Sequence, residues 1–191
     1  MERFITEEAL RTVLEKHERR ELAADAFLPA SVLIPILAHG GPPRLVLMVR
    51  TNEVEHHKNQ ISFPGGRQDG GETALEAALR ETHEEVGIEP DAVRLVGQID
   101  DIYTITKFRV SPFVGWVDRE VHLVGNPREA ALVFEAPIHE LMDPDIHREE
   151  RASWGEQPVM VHFYYWRSHV IWGATGMILN QFLDLCQKAL E

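Results

Sequence analysis

The stretch from Gly66 to Ile88 reads G-R-Q-D-G-G-E-T-A-L-E-A-A-L-R-E-T-H-E-E-V-G-I and dictates its own local structure. Gly70-Gly71 is a turn signal, and Thr73 with Glu76 three residues on has the form of a capping box, in which each side chain bonds the other's backbone N–H. A helix is predicted to start there. Leu75, Ala78, Leu79, Thr82 and Val86 recur at helical spacing and give it one buried stripe. Gly87 suits the C-terminal cap, since glycine adopts a left-handed conformation without steric penalty. A loop, a helix and a second loop follow one another here.

On that helix Glu81, Glu84 and Glu85 stand at i, i+3 and i+4, so their carboxylates share a surface patch with Cβ atoms about 5–6 Å apart. Like charges so placed repel one another. A divalent cation reverses the sign of that interaction. Oxygen ligands with room left for water and phosphate suit Mg²⁺ better than a closed all-protein cage does. The alternative reading of the same helix is a solvated i, i+4 ladder of Glu76, Arg80 and Glu84 with no further role.

Spacing over the whole stretch separates the two. A glycine (Gly66), five residues, a glutamate (Glu72), seven residues and then R-E-x-x-E-E-x-G match by chance at roughly one start in 10⁸. The pattern resembles the Nudix box, and the chain is similar to the Nudix hydrolases, which cut diphosphate linkages in compounds built as a nucleoside diphosphate joined to another group. The resemblance implies an α/β fold, an α/β/α sandwich with a mixed sheet and a loop-helix-loop catalytic box. It implies that Glu72 and Arg80 pair to brace the loop, that Glu81 and Glu85 ligate metal, and that Glu84 is a ligand or a helper. It also implies that the backbone carbonyl near Gly65-Gly66, assigned here to Gly66, completes the shell around Mg²⁺ or Mn²⁺. The general base in the family is either a box glutamate or a carboxylate from a later loop. Glu129, in N-P-R-E-A-A-L-V-F, is the loop candidate, and a surface glutamate ahead of a strand is its other reading. Thr82 departs from the usual aliphatic residue after R-E, although its methyl can still pack.

Upstream, L-V-L-M-V-R-T-N-E-V-E-H-H-K-N-Q-I-S-F-P-G-G resembles the extra motif of coenzyme A pyrophosphatases, a strand ending in arginine before H-x-G-Q-[VI]-x-F-P-G-G. Arg50, His57, Gln60, Ile61, Phe63, Pro64, Gly65 and Gly66 match it. The resemblance continues through G-Q-I-D-D-I-Y-T, V-S-P-F-V-G and I-W-G-A-T-G-M-I-L, roughly from Ser31 to Leu185. It implies cleavage of coenzyme A or a derivative to 3′,5′-ADP and 4′-phosphopantetheine, with Arg50, His57, Lys58, Phe63 and Arg67 as substrate contacts. Two departures stand out. Asn59 replaces the motif glycine, a tolerable change because Asn visits left-handed backbone readily. Glu55 stands where many members carry arginine, and Lys58, Arg67, Lys107 and Arg109 are the bases that could take over. Each of these also reads as a solvated surface base, Phe63 also reads as a core residue, and Tyr103 could stack an adenine. Other substrates of the family, ADP-ribose, NADH or another nucleoside diphosphate derivative, are the alternative. A non-catalytic binding domain is the third reading, opposed by the retention of all four box glutamates.

Composition bounds the setting. A 44% hydrophobic content over 191 residues is enough for one domain with its own core. The chain is read as that single domain, with residues 1–28 a helical extension and 64–88 the box. One cysteine, Cys186, excludes an internal disulfide and a cysteine-rich zinc site. The N-terminus lacks a signal-peptide apolar region and no stretch is long enough to span a bilayer, so a cytoplasmic protein without a membrane partner is expected. A formal charge of −12 argues against general nucleic-acid binding. It leaves a small dinucleotide-like substrate, itself polyanionic, to be held by metal and local bases. Ten histidines show no zinc-type spacing with cysteine, and His56-His57 is the cluster nearest the presumed site. A homodimer stays open.

Along the chain a helix is predicted from Thr6 to about Glu21, and strands over Ser31–Ala38, Arg44–Val49, Gln60–Phe63, Val93–Ile102, Ala131–Glu135 and Val159–Trp166. Arg109–Val117 reads as a strand placed at an edge or irregular because of Pro112. Asp143–Gln157 reads as a polar loop over the site, and Gly173 to Leu190 as an amphipathic closing helix.

Overall fold

The computed structural model describes residues 4–23, 26–51, 60–155 and 157–191. The first half runs α1 (Glu7–Lys16), β1 (Leu28–Leu37), β2 (Arg44–Arg50), β3 (Ile61–Ser62), β4 (Gly65–Arg67) and α2 (Ala74–Val86). Then come β5 (Arg94–Gln98), β6 (Ile102–Tyr103), β7 (Phe108–Val117), β8 (Ala130–Pro137) and α3 (Ile138–Leu141). The chain closes with β9 (His147–Trp154), β10 (Gln157–Trp166), β11 (His169–Ile171) and α4 (Gly173–Leu190).

Apolar runs fill β1, β2 and β7, and strands of that kind must be covered on both faces. They form the centre of a mixed sheet ordered β3-β2-β1-β7-β5, with β4 beside β1, β6 beside β7 and β8 beside β2. Only β1–β7 among these described pairs is parallel, in register from Leu28–Phe108 to Leu37–Val117. Side-chain alternation then sorts the core. Ile34, Ile36, Leu45, Leu47, Val114 and Trp116 point to one face and pack with Leu10 and Leu14 of α1 and Leu179 and Phe182 of α4. Leu37, Val46, Met48 and Val117 point the other way, towards Val86 at the end of α2 and Ile88 beyond it, while Leu33 and Phe113 meet Ala78. The result is helix, sheet, helix. Among the described residues no helix is long and apolar enough to cross a membrane.

Two expectations are corrected and a third is narrowed. The first helix stops at Lys16, because residues 17–22 are drawn out along Asp100-Asp101. His17 and the Arg20 N–H bond Asp100, while the buried Asp101 carboxylate accepts from Arg19, the Leu22 N–H and Ser111. Pro112 lies inside the sheet rather than at an edge, and the irregular alternative is the one that fits, since β5 shifts register against β7 and gives way to β6 opposite Pro112. Its carbonyl accepts from the Ile99 N–H, so its missing N–H faces the gap between β5 and β6, where no ladder bond is lost. The described residues 143–155 are not the loop expected of them. Most of them form β9, which pairs antiparallel with β10 in a second sheet ordered β11-β10-β9.

The capping box is formed on both sides. The Thr73 hydroxyl accepts from the Glu76 N–H at 3.2 Å and the Glu76 carboxylate from the Thr73 N–H at 2.7 Å, and Gly87 closes α2 at φ 78°. Removing the hydroxyl with Thr73→Ala is expected to cost about 1 kcal/mol in urea unfolding. An unchanged midpoint would mean that the box does not hold the helix start.

Candidate active site

Two glycines bring a strand backbone hard against the helix. Gly65 and Gly66 of β4 pair with Val32 and Ser31 of β1. A methyl on Gly65 would lie 2.3 Å from the Ser31 carbonyl oxygen, and one on Gly66 would lie 2.5 Å from the Glu81 carboxylate. With no side chain in the way, the Gly65 N–H donates to Glu85 at 2.8 Å. Arg50, at the end of β2, donates to the other oxygen of Glu85 at 3.3 Å.

Glu85 is the most enclosed charge of the box, its side chain 1% exposed. Burial pushes its carboxyl up to about 8, against the pull of the Gly65 N–H and Arg50; the neighbouring Glu81 and Glu129 add to the rise. Glu81 is also raised, chiefly by burial. One ligand oxygen each from Glu81, Glu85 and Glu129 lies within 4.8 Å of the others. Three crowded carboxylates, two of them (Glu81 and Glu85) raised by burial, are a donor set that a hard divalent cation fits, since it supplies the positive charge the cluster lacks.

Glu129 reaches the cluster from a loop docked on the last turn of α2. The Val124 and Asn126 N–H groups donate to the Val86 and Glu85 carbonyls at 3.0 Å each, closing helix carbonyls that otherwise have no partner. Asn126 Nδ2 donates to the Glu129 carboxylate at 3.3 Å. Thr51 ties the loop to β2, its N–H donating to the Glu129 carbonyl at 2.9 Å and its hydroxyl to the Arg128 carbonyl at 2.7 Å.

Arg80 holds the other side. Its Nε and Nη2 meet the two oxygens of Glu72 at 3.1 and 2.8 Å, and Nη2 also reaches the Arg67 carbonyl at 3.3 Å. With the Asp69 N–H added, this fork draws the Glu72 carboxyl down to about 2. Nη1 donates to Glu81 at 2.9 Å, so one guanidinium both braces the loop and orients a cluster member.

The remaining sequence candidates divide. Glu84 is half exposed, leans on Arg80 at 3.4 Å and stands outside the three-carboxylate cluster. Phe63 is 2% exposed and packs within the core, the second of its two readings. Arg50 is engaged with Glu85. Arg67 has an exposed side chain, and its carbonyl is held by Arg80. Tyr103 stacks on Phe27 with centroids 4.1 Å apart and donates to the Ala23 carbonyl. Arg109 donates to the Leu22 carbonyl. His57 and Lys58, like Glu55 and Asn59, lie outside the described residues. Sequence reasoning missed the Gly65 amide, Thr51 and Asn126. Only the Asn126-Pro127 turn signal pointed to any of them.

A mixed sheet flanked by helices, carrying a braced helix with converging carboxylates, defines an enzyme that hydrolyses phosphoanhydrides. The chain belongs to the Nudix family: the NUDIX domain model matches residues 27–161, and members generally need a divalent cation. An uncharacterized Nudix hydrolase, NudL, of Photorhabdus laumondii is 34% identical over 159 residues, covering 83% of this chain and 84% of the relative. Nudix hydrolase 3 of Caenorhabditis elegans is 33% identical over 187 residues, covering 89% and 78%. The solved structure of the Nudix hydrolase RenU from M. smegmatis superposes with a TM-score of 0.52 at 21% identity, over 61% of this chain and 74% of that one. A MutT/nudix family protein from Enterococcus faecalis gives 0.52 at 14% identity over 92% and 68%. Both share the fold.

The raised Glu85 sets a pH dependence for the metal-free protein. Between its ordinary value of 4.5 and about 8, the folded state binds a proton that the unfolded state has released. Stability therefore falls as pH rises through that window and levels off above it. Thermal unfolding in chelator is expected to show this decline, and added Mg²⁺ to raise the melting temperature more at pH 8 than at pH 5. A Mg²⁺ effect equal at both pH values would contradict the assignment.

Proposed function

We propose that the chain hydrolyses the diphosphate linkage of coenzyme A or its derivatives, giving 3′,5′-ADP and 4′-phosphopantetheine, with Mg²⁺ or Mn²⁺ held by Glu81, Glu85 and Glu129. The observation that carries the substrate is the segment from Arg50 to Gly66. It resembles the coenzyme A pyrophosphatase motif, and both of its ends meet Glu85, through the Arg50 guanidinium and the Gly65 N–H. In this reading Arg50 and Gly65, at the two described ends of the motif, tie it to a carboxylate of the proposed cluster.

Each residue then has a role in this reading. The cation, when bound, neutralises the diphosphate and lowers the pKa of water. Glu129, oriented by Asn126, accepts the proton of the attacking water. Gly65 and Arg50 fix the Glu85 carboxylate, and Arg80 fixes Glu81 while bracing the loop through Glu72. Glu84, outside the cluster, serves through its contact with Arg80. Arg67, exposed beside the loop, and His57 and Lys58 are proposed to meet the substrate phosphates.

Mass spectrometry of products from coenzyme A, ADP-ribose and NADH, each with Mg²⁺ or Mn²⁺, tests the reading. Coenzyme A is expected to be cut fastest, to the two products named. Glu85→Gln should lower that rate by at least about 100-fold, because loss of an outer-sphere partner alone costs roughly 10–100-fold. Faster cleavage of ADP-ribose or NADH would overturn the substrate and leave the family assignment standing. Near-normal turnover by the variant would overturn the role of Glu85.

A further inference from the structure

A second group of metal-capable side chains lies on the β9–β10 sheet, apart from the box carboxylates. His147 and Glu149 are two residues apart on β9 and so share a face, and His162 of β10 pairs directly opposite Glu149. His147 Nε2 and His162 Nδ1 are 3.1 Å apart, and His162 Nδ1 and Glu149 Oε1 are 3.6 Å apart. Ligands at about 2.0–2.1 Å around a tetrahedral Zn²⁺ are separated by roughly 3.3 Å, which those two distances bracket. The whole set lies within 4.8 Å.

Donor chemistry separates this group from the box. Two imidazole nitrogens and one carboxylate suit Zn²⁺ and its borderline neighbours, whereas an all-oxygen set suits Mg²⁺ or Mn²⁺. The imidazoles also have fixed surroundings. The Tyr164 ring stacks on His147 with centroids 4.5 Å apart, and its hydroxyl donates to Asn180 of α4 at 2.8 Å. Asp184, one helical turn on, adds negative charge within reach of His162. Glu149 is half exposed at 51% and His162 nearly covered at 14%, so the group opens to solvent on one side.

We propose that His147, Glu149 and His162 bind a Zn²⁺-class divalent cation, with a fourth position open to water. The ion ties β9 to β10. Such a tie would add to the β9–β10 ladder over a stretch where the residues from Glu149 to Trp154 are all exposed and bury little apolar surface.

The test is equilibrium dialysis of the full chain against Zn²⁺ in excess Mg²⁺, with bound zinc counted by elemental mass spectrometry. Wild type and Glu85→Gln are each expected to retain about one Zn²⁺ per chain, the number a three-residue site with one open position holds. Glu149→Gln, an isosteric change at an exposed position, and His147→Gln should both lower Zn²⁺ affinity at least about tenfold. Mg²⁺-dependent hydrolysis by Glu149→Gln should be unchanged, which also reports that the variant is folded. Co²⁺ in place of Zn²⁺ should give the intense visible bands of a four-coordinate nitrogen–oxygen site in wild type and not in Glu149→Gln. The proposal is overturned if wild type retains no Zn²⁺, if both hairpin variants retain it as tightly, or if Glu85→Gln alone loses it.

Discussion

Enclosing the Glu85 carboxylate between a strand and a helix costs free energy, and the surrounding structure is arranged to offset that cost. Two donors reach it from separate parts of the sheet, the Gly65 N–H from β4 and the Arg50 guanidinium from β2. Neither compensates for burial, since the carboxyl still rises to about 8. Glu81 and Glu129 add like charge rather than relieve it. The cluster therefore stores a demand for positive charge at one point of the fold. A hard divalent cation is the kind of charge that meets that demand.

Much of the neighbouring architecture follows from keeping that point small and fixed. Glycines at 65 and 66 are required because a methyl at either would strike the Ser31 backbone or the Glu81 carboxylate. Arg80 spans from the loop to Glu81, so the brace and the site move together. Residues 124–129 close the carbonyls at the end of α2 while delivering Glu129. Support also arrives from the far end of the chain, where the buried Thr175 of α4 donates to the Ile61 carbonyl just ahead of the glycines. Gly176 beside it leaves room for the His162 carbonyl, which a methyl would approach at 2.5 Å.

What could be read from the chain alone was what lies close in sequence. The capping box and the Gly87 cap involve residues three or four apart, within reach of turn and helix geometry, whereas the Glu72–Arg80 brace came only from the resemblance to the Nudix box. The position of Glu84 outside the three-carboxylate group was not legible. Helical spacing puts Glu81, Glu84 and Glu85 on one surface, but the seating of α2 on β1 and β4 decides which of them turn inward. Phe63 was ambiguous for a similar reason, since an aromatic beside a site and an aromatic under it have the same local sequence. Strand β9 was hidden by polarity: H-R-E-E-R-A-S-W carries no apolar alternation, and only its pairing with β10 makes it a strand. The same pairing joins His147 and His162, fifteen residues apart, which no local spacing rule brings together.

We propose that Glu81, Glu85 and Glu129 hold the cation and that Glu84 acts through Arg80. Mn²⁺ binding followed by electron paramagnetic resonance, in wild type and in the four single Glu→Gln variants, tests it without reference to substrate. The account predicts that Glu81→Gln, Glu85→Gln and Glu129→Gln each weaken Mn²⁺ binding by about tenfold or more, while Glu84→Gln binds nearly as wild type. Loss of Mn²⁺ binding in Glu84→Gln together with undisturbed binding in Glu129→Gln would contradict it.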